Sequence, residues 1–135
     1  MKWIITIALC LFAFSLKAQD QLQFNQVNHT VNTNVRYKLY PTFNVWTFIK
    51  LDTRKGDLTQ VHFSIDEEEA EVYLGAPPKI IDEKDAVNGQ FELYPTSNSW
   101  TFLLLDQIDG DVYHIQWHQN RDNRAVIKIK YAAFK

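Results

Sequence analysis

The sequence predicts an all-β protein: two antiparallel four-stranded meanders packed as a sandwich or flattened closed barrel with pseudo-twofold symmetry. Three observations predict it. Leu39-Tyr40-Pro41-Thr42-Phe43-Asn44-Val45-Trp46-Thr47-Phe48 returns as Leu93-Tyr94-Pro95-Thr96-Ser97-Asn98-Ser99-Trp100-Thr101-Phe102, at a constant offset of 54. The match runs on without a gap through Leu51-Asp52 and Leu105-Asp106 to Gly56-Asp57 and Gly110-Asp111. Such self-similarity marks a duplicated structural unit. Second, apolar residues alternate with period two, as in strands with one wet face. Third, no stretch beyond the N-terminus holds a helical period over three turns.

Residues 1–18 read as an export signal. Lys2 supplies the positive start, Ile4 to Phe14 the apolar run, and Leu16-Lys17-Ala18 a small residue before a cleavage point at Gln19. The run is about eleven residues, against the roughly 20 that span a bilayer, so no integral membrane segment is expected after cleavage. Cys10 lies inside the run and follows Leu9 rather than a small residue, a poor context for a lipid anchor. The predicted location is therefore the periplasm or the extracellular space.

Cleavage removes Lys2, Lys17 and Cys10, leaving 12 basic and 16 acidic residues and a net charge of −4. A mildly acidic chain carries no electrostatic footprint for nucleic acid. Without cysteine, disulfides, thiolate zinc sites and cysteine nucleophiles are excluded from the mature protein. The 117 residues that remain after residue 18 are enough for one domain with an ordinary apolar core.

Residues 19–34 form a Gln- and Asn-rich arm or lead-in strand, with a chance glycosylation sequon at Asn28-His29-Thr30. The first repeat covers 35–75. Tyr37 to Tyr40 is a short strand that Pro41 stops, because proline cannot donate to a sheet ladder. Asn44 turns the chain, since asparagine bonds locally to its own backbone. Val45 to Leu51 is apolar on both faces, which suits a strand buried on both sides. Lys50 interrupts that pattern where its counterpart Leu104 does not, so the first repeat should be more open there.

Asp52 to Gly56 is the next turn. Gly56 supplies the left-handed residue and the Asp52 carboxylate accepts from the turn amides. Then Thr59, Val61, Phe63 and Ile65 share one face, while Leu58, Gln60, His62 and Ser64 share the other, more polar one. Glu71 to Leu74 closes the unit after the acidic loop Asp66-Glu67-Glu68-Glu69. Residues 76–88 link the repeats, stiffened by Pro77-Pro78.

The second repeat, 89–135, opens on the Asn88-Gly89 turn signal. Asn98, Asp106 and Gly110 take the places of Asn44, Asp52 and Gly56. Tyr113, Ile115 and Trp117 oppose Val112, His114, Gln116 and His118, and Ala125 to Ile129 is the last strand. One such sheet has an uncovered apolar face, so the units should pack on each other. A propeller is the rival arrangement. Two units cannot close one, so it would need several chains.

The candidate sites are few. Asp52 and Asp106 recur, as do Asp57 and Asp111, and paired carboxylates can do acid–base work. Their place beside turn glycines reads instead as capping. His114 and His118 stand roughly 13 Å apart if both lie on one strand, too far to share a metal. No metal, cofactor or catalytic group is therefore assigned. Trp46, Trp100, Tyr40 and Tyr94 flank the Asn turns. They are either core rings or flat platforms for a protein, peptide or glycan ligand.

The pattern Tyr-Pro-Thr-x-Asn-x-Trp-Thr-Phe followed by Leu-Asp-x-x-x-Gly covers about thirty residues in each repeat. It resembles a family of small, internally duplicated, uncharacterised secreted β-proteins of Bacteroides-like bacteria. The Leu-Asp-x-x-x-Gly turn is also similar to that of quinoprotein propeller blades. Those blades place a tryptophan four residues after the glycine, where this chain has Gln60 and His114, so quinone binding is not implied. The functions that remain are three. One is a non-catalytic binding module of the bacterial envelope. Another is a small hydrolase using Asp106 with His114 or His118. The third is a structural subunit associating through strand edges.

Overall fold

The computed structural model describes residues 35–66 and 68–132. The predicted export signal with Cys10, the arm 19–34 and the sequon lie outside the described residues. Eight strands follow one another: β1 (Tyr37–Pro41), β2 (Thr47–Asp52), β3 (Leu58–His62), β4 (Ala70–Gly75), β5 (Phe91–Pro95), β6 (Thr101–Asp106), β7 (Val112–Gln116) and β8 (Ala125–Lys128). A single 3-10 turn, Arg121–Asn123, precedes β8. The strands make two antiparallel sheets in chain order, β1-β2-β3-β4 and β5-β6-β7-β8. This is the predicted all-β pair of four-stranded meanders, sandwiched rather than closed into a barrel.

The turns form as their residues dictate, and identically in both repeats. The Asn44 side chain accepts from the Trp46 amide at 3.0 Å, and Asn98 accepts from Trp100 at 2.9 Å. Thr42 and Thr96 hydroxyls accept from the asparagine amides and donate back to the carbonyls of Thr47 and Thr101. These local bonds hold Val45 and Trp46 in the turn, so β2 starts at Thr47 rather than at Val45. At the opposite end, Gly56 and Gly110 stand at φ +78° and +75° and donate to the Asp52 and Asp106 carbonyls.

Which faces meet is the decisive feature. Directly opposed residues of antiparallel strands share a face. Across the first sheet, Tyr40, Ile49 and Gln60 form one row, and Lys38, Leu51 and Leu58 the next. This face is buried against the second sheet. Adding 54 to each number gives Tyr94, Leu103 and His114, then Glu92, Leu105 and Val112, which also share a face of the second sheet. Yet the second sheet buries its other face, with Leu93, Leu104 and Tyr113 in one row and Phe102 and Ile115 in another.

A twofold axis between the sheets would bring the same face of each to the middle. Here different faces meet, as between consecutive members of a row. Equivalent residues therefore have opposite fates: Leu93 is fully buried while Leu39 is 60% exposed, and Ile49 is fully buried while Leu103 is 36% exposed. The last strands of the two sheets, β4 and β8, stay near one another. A side chain added at Gly75 in β4 would meet Val126 of β8, with a Cβ-to-Cβ separation of 3.7 Å.

Two predicted burial patterns are corrected by this packing. The Val45 to Leu51 stretch is predicted to be covered on both sides, but β2, like β6, buries mainly one face. In β3 the apolar row Thr59-Val61-Phe63-Ile65 is the open one, and Leu58 and Gln60 face the core. In β7 the expected row Tyr113-Ile115-Trp117 is buried. Lys50 lies on the open face in an ion pair with Glu71, where its counterpart Leu104 is buried.

Candidate functional site

The turn carboxylates are structural in their contacts. Asp52 accepts from the Arg54 amide at 2.9 Å and from Arg36 at 3.0 and 3.1 Å. Asp106 accepts from the amides of Ile108 and Asp109, at 3.0 and 3.2 Å. Gln90 stands where Arg36 stands in the first repeat, and it supplies a neutral donor at 3.3 Å. The missing cation comes from the linker: Lys79 donates to Asp106 at 2.7 Å and also pairs with Asp109. Burial pushes the Asp106 carboxyl up. The Lys79 ammonium, the two amides and Gln90 outweigh it and hold the group below its ordinary value. The same two carboxylates raise Lys79.

Among the described residues, His62, His114 and His118 do not join these groups. His114 is opposed to Leu103, and Asp106 shares the other face with Leu104, so His114 and Asp106 project from opposite faces of the second sheet. The His118 ring lies 4.7 Å from Trp100, at the other end of β6 from Asp106, and its Nδ1 accepts from the Asn120 amide. His62 contacts the Thr47 hydroxyl at 3.3 Å. No cluster of three His, Cys, Asp or Glu side chains able to hold a metal occurs among the described residues.

The four candidate rings separate into three kinds. Tyr40 is buried, and its hydroxyl donates to Glu92 at 2.7 Å. Burial first, and then that bond, raise its pKa. Tyr94, its equivalent, lies on the open face of the second sheet. Trp46 and Trp100 sit at the same turn of each repeat and stay 40% and 43% exposed. Trp46 meets Phe63 edge-on at 5.4 Å, and Trp100 leans on the buried Trp117 at 4.8 Å. Trp100 thus packs on the core, whereas Trp46 packs on a ring of the open face.

Sequence reasoning missed the two open faces. On the second sheet, Tyr94, Leu103, Ile127 and Ile129 are exposed beside half-buried Leu105 and Val112. On the first, Tyr37, Leu39, Tyr73 and Phe63 are exposed around the Lys50–Glu71 pair. The signal was present: Leu103-Leu104-Leu105 is apolar at both parities, and a lone sheet pair can cover only one of them. No helix among the described residues is long and apolar enough to cross a membrane. No protein-family model, curated protein or solved structure matches the chain.

Proposed function

We propose that the chain is an exported, non-catalytic interaction module of the bacterial envelope, and that its ligand is a protein. The observation that carries this reading is the open face of the second sheet. It presents exposed Tyr94 and Leu103 side by side, with Ile127 beyond His114 in the same row and Ile129 just past β8, while Asp106 and His114 stand on opposite faces. Contiguous exposed apolar surface on a folded domain marks an interaction site. The hydrolase reading finds no support in side chains on opposite faces of one sheet.

Site-directed photo-crosslinking in the producing cell tests the reading. A crosslinker at Ile127 should give discrete protein adducts, and one at Asp122, exposed on the 3-10 turn, should not. An adduct-free Ile127 contradicts it. The exposed Trp46 and Trp100 rings favour a second reading, stacking on a glycan at the turn end. Quenching of tryptophan fluorescence by envelope oligosaccharides, lost in Trp46→Ala and Trp100→Ala, would distinguish it.

A further inference from the structure

We infer that the partner on these faces is a second copy of the chain, docked head to tail so that the packing within one chain repeats between chains. This rests on the interaction-module reading and names its occupant. The contact inside the chain is heterologous: one face of the first sheet meets the opposite face of the second. The two faces left over are the sequence equivalents of the two that meet. The open face of β5–β8 corresponds to the packed face of β1–β4: Tyr94 to Tyr40, Leu103 to Ile49, Leu105 to Leu51 and Val112 to Leu58. The open face of β1–β4 corresponds to the packed face of β5–β8: Tyr37 to Phe91, Leu39 to Leu93, Phe48 to Phe102 and Phe63 to Trp117.

The polar contacts are complementary in the same sense. Inside the chain, Lys38 of β1 pairs with Glu92 of β5 at 2.5 Å, and these two positions are equivalent, 54 residues apart. The next member of the row would place a second copy's Lys38 beyond Glu92. Charges at this position then alternate along the assembly, whereas a repeat with the same sign in both halves would repel. The backbone link from the Phe91 amide to the Thr53 carbonyl, 2.8 Å, has its counterpart in a second copy's Tyr37 amide and Gln107 carbonyl. Gln107 already repeats one Thr53 contact: its amide donates to Gln90 as that of Thr53 donates to Arg36.

A heterologous contact closes into a ring when its rotation divides a full turn, and otherwise runs on as a filament. Here β4 lies over β8 at Gly75–Val126, and β5 meets β1 at Lys38–Glu92 as well as the end of β2. That is the radial arrangement of propeller blades. Propellers hold four to eight sheets, so closure takes about two to four chains of two sheets each.

Light scattering on the purified protein, with two face-blocking variants, tests this. Leu103→Asp blocks the open face of the second sheet and Leu39→Asp that of the first. Both positions are exposed in the single chain, so each variant should keep the unfolding temperature of its own monomer. The unmodified protein should run as a discrete assembly of roughly two to four chains. Each variant alone should be monomeric. An equimolar mixture should form a heterodimer and nothing larger, because each variant keeps the face that the other lacks. An unmodified protein that is monomeric at every concentration, or variants that stay monomeric when mixed, overturns the inference. Adducts at Ile127 to a different protein, alongside a monomeric chain, would leave the interaction-module reading standing and remove only self-association.

Discussion

The Tyr40 hydroxyl donates to the Glu92 carboxylate across the two sheets, 2.7 Å from Oε1, while Lys38 holds Oε2. Glu92 is nearly inaccessible to water, so its charge depends on these two donors. Tyr40→Phe removes one donor and should cost about 1–2 kcal/mol. Glu92→Ala strands both the buried hydroxyl and Lys38 and should cost more, about 3 kcal/mol. Urea unfolding monitored by circular dichroism measures both.

Alkali should act through the same bond. Burial and Glu92 raise Tyr40 above its ordinary value, so the folded state holds this proton more tightly than the unfolded state. That stability is complete below the unfolded tyrosine value of about 10 and falls as pH rises beyond it. The protein should therefore lose stability above about pH 10, and Tyr40→Phe should flatten the slope there. A slope unchanged by the substitution would assign the alkaline loss to other groups.

Acid should act at Asp106. Its carboxyl is depressed in the folded state, so its contribution is complete above the unfolded value of about 3.9 and disappears as pH falls through the folded one. Asp106→Asn keeps an acceptor for the Ile108 and Asp109 amides but loses the charge that Lys79 answers. It should cost about 2 kcal/mol at neutral pH and progressively less as pH falls below about 4, as read from urea midpoints. The reverse pH dependence would contradict the assignment.

The two turn glycines should differ although their sequence contexts match. Gly56→Ala places a methyl 2.9 Å from the Pro77 side chain and 3.2 Å from Phe91, whereas Gly110→Ala meets nothing within 4 Å. Gly110→Ala should cost only the left-handed backbone, about 1 kcal/mol. Gly56→Ala adds a clash with buried Pro77 and should cost about 3 kcal/mol. Thermal unfolding of the pair checks the ranking.

Much of this architecture could be read from the chain. The 54-residue offset gave the unit, and Pro41, Asn44, Asp52 and Gly56 gave its turns, because their effects are local. The facing of the sheets could not be read the same way. Period two says that Leu58 and Thr59 project to opposite sides, but not which side the neighbour covers. The more apolar row of β3, Val61-Phe63-Ile65, was the natural choice for the core, yet Leu58 and Gln60 occupy it. The second sheet supplies the Trp117-bearing face, and one face of the first suffices to cover it. Lys79 was equally invisible, because its contact with Asp106 spans 27 residues and replaces a charge present in the other repeat as Arg36.

The head-to-tail facing of the sheets is tested most directly by a cysteine pair at Gly75→Cys and Val126→Cys. Their Cβ atoms would stand 3.7 Å apart, inside the range that disulfides occupy, for a backbone cost at Gly75 of about 1 kcal/mol. Peptide mapping of the oxidised protein should find the two residues joined within one chain in nearly every molecule. If the sheets instead met through equivalent faces, one of the two residues would point away from the interface, and both thiols would remain free.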